Sequence, residues 1–160
     1  QVVVAGLLEG APLPPKGSIV GVTNTAVCEE CDRVKSEKAI ERFYRPYEIT
    51  PDPEICLLDQ GLVCMGLATR GGCGALCPQV NMGCRGCYGP MPGVEDQGAK
   101  MLSAIASVIG AGEPGMEDAE LEEKIGAVVD TIVDPAGTFY RFSMAHSLLR
   151  RAKVNGNGKG

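Results

Sequence analysis

Eight cysteines, at positions 28, 31, 56, 64, 73, 77, 84 and 87, carry the chemistry of this sequence. Their spacing reads C-x2-C-x24-C-x7-C-x8-C-x3-C-P-x5-C-x2-C, and six of them fall within residues 55–90. Eight thiols divide into two sets of four. Four thiolates are the complement of one iron-sulfur cube or of one structural zinc, and thiols in a secreted chain would pair as disulfides instead. Composition helps to choose. Residues 61–98 contain ten glycines and a single aromatic, Tyr88, so this stretch has little with which to build an ordinary apolar core. A bulky inorganic cluster would hold it together, because glycines let the backbone wrap closely and aim N–H groups at cluster sulfurs.

Zinc ribbons pair two C-x2-C knuckles typically ~15–20 residues apart around one ion. Here the knuckles Cys28/Cys31 and Cys84/Cys87 are separated by 52 residues. Zinc would leave Cys56, Cys64, Cys73 and Cys77 to form a second, oddly spaced site. Bacterial ferredoxins use C-x2-C-x2-C-x3-C-P, of which only the fragment Cys73-x3-Cys77-Pro78 is present. A sequential division, Cys28, Cys31, Cys56 and Cys64 against Cys73, Cys77, Cys84 and Cys87, keeps each set local and avoids threading, and is preferred to an interleaved one.

The chain has 160 residues, enough for one domain or one cofactor-rich module with helical trimmings. Its first residue is Gln1, which points to a fragment or a processed chain. Net charge is −5 from 15 basic and 20 acidic residues, with no basic cluster interleaved with aromatics, which argues against a nucleic-acid surface. No apolar run approaches the ~20 residues of a membrane span, and no secretory signal is evident. The expected setting is soluble and intracellular, and a metal site is favoured over four disulfides.

The elements that must position the thiols read as follows. Residues 1–9 are an apolar run that fits a strand or the tail of a helix, and residues 10–17, with Pro12, Pro14 and Pro15, read as a linker from a preceding domain. Residues 18–23 are β-branched and predict a short strand into the first cysteine pair. Residues 36–44 predict a helix with Ser36 as N-cap, and residues 50–53 a turn that starts a second helix carrying Cys56. Irregular structure is expected over residues 67–92. Asp96 or Glu95 caps a helix to about Ile109, with Met101, Leu102, Ile105, Val108 and Ile109 on its apolar stripe and Gly110 and Gly112 as its stop. A further amphipathic helix spans about 118–133, acidic at its N-terminus, and ends at Pro135 and Gly137. A short helix from Ser143 and a glycine-rich tail from residue 155 complete the chain.

The cysteine order, GGCG at residues 71–74 and the C-x2-C followed by YGP at residues 88–90 resemble the C-terminal cluster domain of [NiFe] hydrogenase small subunits. That family often has histidine at the first ligand position. The resemblance implies that Cys28, Cys31, Cys56 and Cys64 ligate a distal-like cube, and that Cys73, Cys84 and Cys87 match the three-cysteine pattern of a medial cluster. Many respiratory members carry proline where Cys77 stands, so Cys77 implies a second four-iron cube. Both departures, Cys28 and Cys77, are similar to the cytoplasmic group, which comprises F420-reducing and F420-non-reducing (methyl-viologen-reducing) hydrogenases and sulfhydrogenases. The phrases DQGAKMLSA at residues 96–104 and FYRFS at residues 139–143 look like the F420-non-reducing type.

The implied fold is mostly α with irregular cluster-binding loops. Two [4Fe-4S] clusters stand in place of a conventional core, and the flavodoxin-like domain of the family is not in this chain. The division would be residues 1–17 for a domain remnant and linker, 18–95 for cluster binding, 96–152 for a helical segment and 153–160 for a flexible tail. The implied function is single-electron relay in the cytoplasm. The nickel-iron large subunit would stand at one end, and a further iron-sulfur or flavin subunit, heterodisulfide reductase-like or F420/NAD-linked, at the other. No catalytic residue is expected within the chain itself. A zinc-binding structural module is the alternative, as is, within the same class, a sulfhydrogenase or F420-reducing small subunit.

Ile55, Leu57, Leu58, Met65, Leu67, Met82 and Met91 are expected to shield the cubes from water. His146, the one histidine, reads as a surface or docking residue rather than a ligand. Six acids between positions 113 and 123 read as a solvated face or a docking patch. Arg70 and Arg85, beside ligand cysteines, would raise a cluster potential or form ordinary salt bridges.

Overall fold

The computed structural model describes residues 2–36, 40–110, 115 and 117–151. Five α-helices alternate with loops: α1 (Val2–Leu8), α2 (Leu76–Gln79), α3 (Gln97–Gly110), α4 (Asp118–Val129) and α5 (Pro135–Phe139). Four 3-10 turns, Val27–Glu30, Met65–Ala68, Met144–His146 and Leu148–Arg151, complete the regular structure of the described residues.

The organising element is α3. Asp96 Oδ1 accepts the Ala99 N–H at 2.8 Å and caps its first turn. Its apolar stripe runs at helical spacing, so Met101, Ile105 and Ile109 all come to 0 % exposure on one side. Burying each contributes about 2 kcal/mol. That face packs on the 3-10 turn Met65–Ala68, on α4 and on α5. Gly98 lies flat against the Tyr140 ring, where any Cβ would collide with it. Val27, Ile40, Phe43, Leu58, Met65, Val128, Ile132 and Phe139 close an apolar core around the helix, with Ala75 and Cys84 inside it. A core therefore does form. It is shared about equally between the cysteine-bearing part of the chain and the helical part, and the half-buried Cys31, Cys56, Cys64 and Cys73 pack against it.

Asp96 does more than cap. Its Oδ2 accepts the Leu148 N–H at 2.6 Å, and the Tyr140 hydroxyl also binds it. Burial opposes its ionisation, but hydrogen bonds from Ala99, Leu148, Tyr140 and Gly98 outweigh that and hold the carboxyl below its ordinary value. One carboxylate thus pins the start of α3 to Tyr140, just after α5, and to the last 3-10 turn at Leu148.

Among the described residues there is no sheet, only four isolated bridges: Ala26 with Arg70, Val34 with Ile55, Tyr44 with Leu62, and Thr69 with Pro90. All but the Tyr44–Leu62 bridge tie one cysteine-bearing stretch to another. The strand expected over residues 18–23 is absent, because Thr23 N–H donates to Gly71 O across the molecule rather than within a ladder. The helix expected over residues 36–44 is not seen either. Residues 37–39 lie outside the described ones, and residues 40–44 are non-helical, with Tyr44 N–H donating to Gly61 O and Phe43 N–H to Thr131 Oγ1. No helix starts at residues 50–53: Cys56 enters a turn, and its N–H pairs with Val34 O.

The apolar run at the start is helical, as α1. The helix α4 stops at Val129, short of the expected residue 133. Pro135 and Gly137 do not end it. They open α5, for which Asp134 is the N-cap, accepting the Gly137 N–H at 3.0 Å with Pro135 preset for the first turn. The helix expected from Ser143 is replaced by two 3-10 turns.

Candidate thiol site

All eight cysteines are free thiols, which removes the disulfide reading for this structure. Cys28, Cys31, Cys56 and Cys64 line a single cleft together with Val27, Arg33, Lys35, Leu57, Gly66 and Pro78. Three local devices bring them there. The first is the 3-10 turn Val27–Glu30, which presents Cys28 and is closed by Glu29 Oε1 accepting the Ala26 N–H at 3.0 Å. The second is the bridge from Val34 to Ile55, with Val34 N–H to Glu54 O at 2.7 Å and Cys56 N–H to Val34 O at 2.8 Å, which sets Cys56 beside the Cys31 stretch. The third is Gly66. A Cβ on it would stand 3.1 Å from Cys28 Sγ and 3.6 Å from Cys64 Sγ, so the absence of a side chain lets this backbone run beside both sulfurs.

The electrostatics of this cleft bear the mark of crowded thiols. Burial first, then the neighbouring Cys64 and Cys56, pushes the Cys28 thiol up to about 12, against a smaller pull downward from Lys35. Burial likewise raises Cys64, with the Gly66 and Cys84 N–H groups opposing and Cys56 and Cys31 adding to the rise. Cys56 is raised by burial too, opposed by the Asp59 and Leu58 N–H groups. Without a bound cation these thiols stay protonated. A metal inverts this, because a coordinating thiol is deprotonated outright, and the backbone N–H groups aimed at the sulfurs then stabilise the thiolates.

The second set is arranged differently. Cys84 is buried, Cys73 is half-buried, and Cys77 and Cys87 are exposed. Cys84 stands between the sets: its N–H donates to Cys64 Sγ at 3.3 Å and its carbonyl accepts the Met65 N–H at 2.9 Å. Burial lifts its thiol to about 11, the Gly86 N–H and the Thr69 side chain oppose that, and both Cys64 and Cys73 add to it. Gly83 makes this approach possible, because a Cβ there would drive into the Val63 carbonyl. Cys77 rides on the single turn α2, entered through Ala75 in the left-handed region at φ 52°. Gln97 supports the second set from α3, its Nε2 reaching Thr69 Oγ1 at 3.0 Å and Gly86 O at 3.2 Å.

Among the described residues, no three His, Cys, Asp or Glu side chains are drawn about one point tightly enough to hold a single ion. Four thiols on one cleft with a glycine-lined approach fit the thiolate complement of an iron-sulfur cluster or of a structural zinc. Leu57, Leu58 and Met65 are buried as expected of a water shield, Ile55, Leu67 and Met91 are half-buried, and Met82 is exposed and shields nothing. His146 is exposed in a 3-10 turn. The acids from Glu117 to Glu123 are exposed on α4, and Glu113 lies outside the described residues. Arg70 Nε is buried without a hydrogen-bond partner, and Arg85 Nη2 reaches Met82 Sδ at 3.5 Å.

Sequence reasoning missed Glu30, Arg33, Lys35, Gly66 and Gly83. Only the two glycines left a trace, in the glycine richness of residues 61–98. Glu30 and Arg33 act on loops far along the chain, which spacing does not encode, and Lys35 acts on Cys28 through space.

No family model matches the chain. It is 46 % identical over 134 residues to an F420-non-reducing hydrogenase subunit of Methanothermus fervidus, covering 82 % of this chain and all of that protein. It is 42 % identical over 147 residues to the protein of the same name from Methanothermobacter marburgensis, covering 90 % of this chain and 46 % of the relative. It is 44 % identical over 102 residues to an F420-non-reducing hydrogenase iron-sulfur subunit of Archaeoglobus profundus, covering 61 % of this chain and 32 % of that protein. The chain thus spans the whole of the first relative and less than half of the other two.

Proposed function

Because the chain belongs to the family of F420-non-reducing hydrogenase iron-sulfur subunits, we propose that it is the electron-transfer part of a nickel-iron hydrogenase small subunit. In this reading Cys28, Cys31, Cys56 and Cys64 hold one [4Fe-4S] cluster, and Cys73, Cys77, Cys84 and Cys87 hold a second. The convergence of the first four thiols on one cleft carries it. The words "iron-sulfur" in the name of the Archaeoglobus profundus relative support it.

When bound, such a cluster takes up and releases single electrons at a potential set by its charge, its hydrogen bonds and its exposure. The chain's own residues supply those settings. The Gly66 and Cys84 N–H groups on Cys64, and the Asp59 and Leu58 N–H groups on Cys56, favour the more negative state of the sulfurs. Lys35 acts in the same direction on Cys28. Val27, Leu57 and Met65, each at most 2 % exposed, keep water from the inner side. The Cys84 N–H on Cys64 Sγ links the two ligand sets directly.

The partners are the nickel-iron large subunit on one side and, on the other, an iron-sulfur or flavin subunit that is heterodisulfide reductase-like or F420/NAD-linked, in a cytoplasmic complex. Among the described residues no helix is long and apolar enough to cross a membrane.

Anaerobic purification tests the reading. A brown protein with broad absorption near ~400 nm and about eight irons per chain is expected, and a colourless one with stoichiometric zinc would sink it. Cys77→Pro sharpens the ligand assignment: it is expected to turn one cube into a three-iron cluster and leave its neighbour intact. Two unchanged cubes in that variant would show that Cys77 is not a ligand.

A further inference from the structure

Glu30 and Arg33 stand either side of Cys31, in the first cysteine set, yet what they grip is the loops of the second. Glu30 Oε1 accepts the Gly72 N–H at 2.5 Å and Oε2 accepts the Gly74 N–H at 2.8 Å, so one carboxylate spans the backbone on both sides of Cys73. The Thr23 hydroxyl adds a longer contact at 3.4 Å. Gly71 approaches so closely that a Cβ there would meet Glu30 Oε1 at 2.5 Å. The glycines of GGCG therefore give the carboxylate room to enter the loop.

Arg33 does the same for Cys77. Its Nε and Nη2 donate to Pro78 O at 3.1 and 3.0 Å, and Nη2 also donates to Asn81 Oδ1. Its Nη1 donates to Asp52 O at 2.6 Å and Ile55 O at 2.8 Å. The planar fork thus joins the residue after Cys77 to the residue before Cys56. Hydrogen bonds with one ionised partner are the strong ones, and these bridge 42 to 48 residues of chain on the second-set side. Local support for the one-turn α2 comes from backbone bonds such as Met82 N–H to Cys77 O and from Gln79 Nε2 to Gly74 O, and the two charged side chains add long-range support to it and to the loop that carries Cys73.

We propose that Glu30 and Arg33 are positioning residues that place Cys73 and Cys77 for the second cluster from the backbone of the first. This rests on the electron-relay reading above. Supporting groups behind metal ligands typically matter by about 10- to 100-fold in metal retention, which sets the scale.

The test uses the anaerobically purified hydrogenase complex, with the paramagnetic resonance signals of its clusters assigned by Cys77→Pro. Glu30→Gln keeps the shape but turns an amide NH2 toward a glycine N–H. It is expected to make the second-cluster signal at least about 10-fold more labile to a chelator, with the first-cluster signal intact. Arg33→Lys keeps the charge and loses the fork, and it is expected to alter the second-cluster signal as well. An unchanged second-cluster signal in both variants overturns the proposal, as does loss confined to the first cluster. Wild-type behaviour in Arg33→Lys would reduce that residue to a charge and overturn its positioning role. Should Glu30→Gln fail to fold, Glu30→Asp decides: a carboxylate one methylene shorter cannot span both N–H groups and is expected to give the same selective loss, and an unchanged spectrum overturns the proposal. A parent complex that contains no iron defeats the electron-relay reading itself, and the two failures are told apart before any variant is made.

Discussion

Cys28, Cys31, Cys56 and Cys64 share a cleft in which burial and mutual crowding push the Cys28, Cys56 and Cys64 thiols toward the neutral form, whereas Cys77 and Cys87 of the second set lie exposed and only Cys84 is buried. The first set is framed by backbone pairing between its own stretches, as from Val34 to Glu54 and Cys56. The second depends on groups borrowed from elsewhere: Glu30, Arg33 and, from α3, Gln97. One group of thiols is thus half-buried around a shared cleft, and the other, from buried Cys84 to exposed Cys77 and Cys87, is held by long-range straps. The point where they meet is the Cys84 N–H on Cys64 Sγ.

The largest expected effect comes from forcing the sets apart. In Gly83→Ala a Cβ collides with the Val63 carbonyl, and overpacking against backbone costs about 3 kcal/mol. Chemical denaturation would read that loss, and the Cys28 and Cys73 sites would both suffer. A stability within about 0.5 kcal/mol of the parent would show that the contact is soft.

Next is reactivity in the metal-free protein at pH 8. With Cys28 at about 12, its thiolate fraction falls ~1000-fold relative to an unshifted thiol and its higher basicity returns part of that, leaving alkylation about 30-fold slower. Exposed Cys77 and Cys87 should label first in mass-spectrometric mapping. Uniform labelling would erase the contrast between the sets.

Asp96→Asn tests whether the contrast survives when general stability falls. Losing a carboxylate that accepts several hydrogen bonds costs about 2 kcal/mol, and the alkylation order should be unchanged. The sign with pH follows from its depressed value. The carboxylate's contribution is fully present above the ordinary ~3.9 and is lost as pH falls through the folded value. Acid titration should therefore narrow the gap between parent and variant, and a gap constant to pH 2 would contradict the assignment.

The smallest effect is expected for Gly66→Ala. Its methyl would meet Cys28 Sγ at 3.1 Å, so the sulfur must give by a few tenths of an ångström, at a cost of about 1 kcal/mol. Only the first set should respond.

Local patterns were legible in the sequence. The stripe Met101, Ile105 and Ile109 predicts α3 because residues three and four apart share a helix face whatever surrounds them. Asp96 or Glu95 reads as its cap for the same local reason, and the structure selects Asp96. Where the chain's backbone groups pair far away, local reading failed: Thr23 turns to Gly71 and Tyr44 to Gly61, so neither the strand nor the helix expected there forms. Pro135 and Gly137 have the residue types of a helix stop, yet with Asp134 before them they start α5.

By itself the sequence determined which atoms are available, eight thiols in a fixed order and spacing, together with the helices that stand on their own periodicity. The tertiary structure decided which thiols are crowded, which are exposed, and that Glu30 and Arg33 reach from one set's backbone to the other's loops. Spacing is a property of neighbours along the chain, whereas burial, ionisation and a carboxylate's reach depend on segments more than forty residues apart that only the folded backbone brings together.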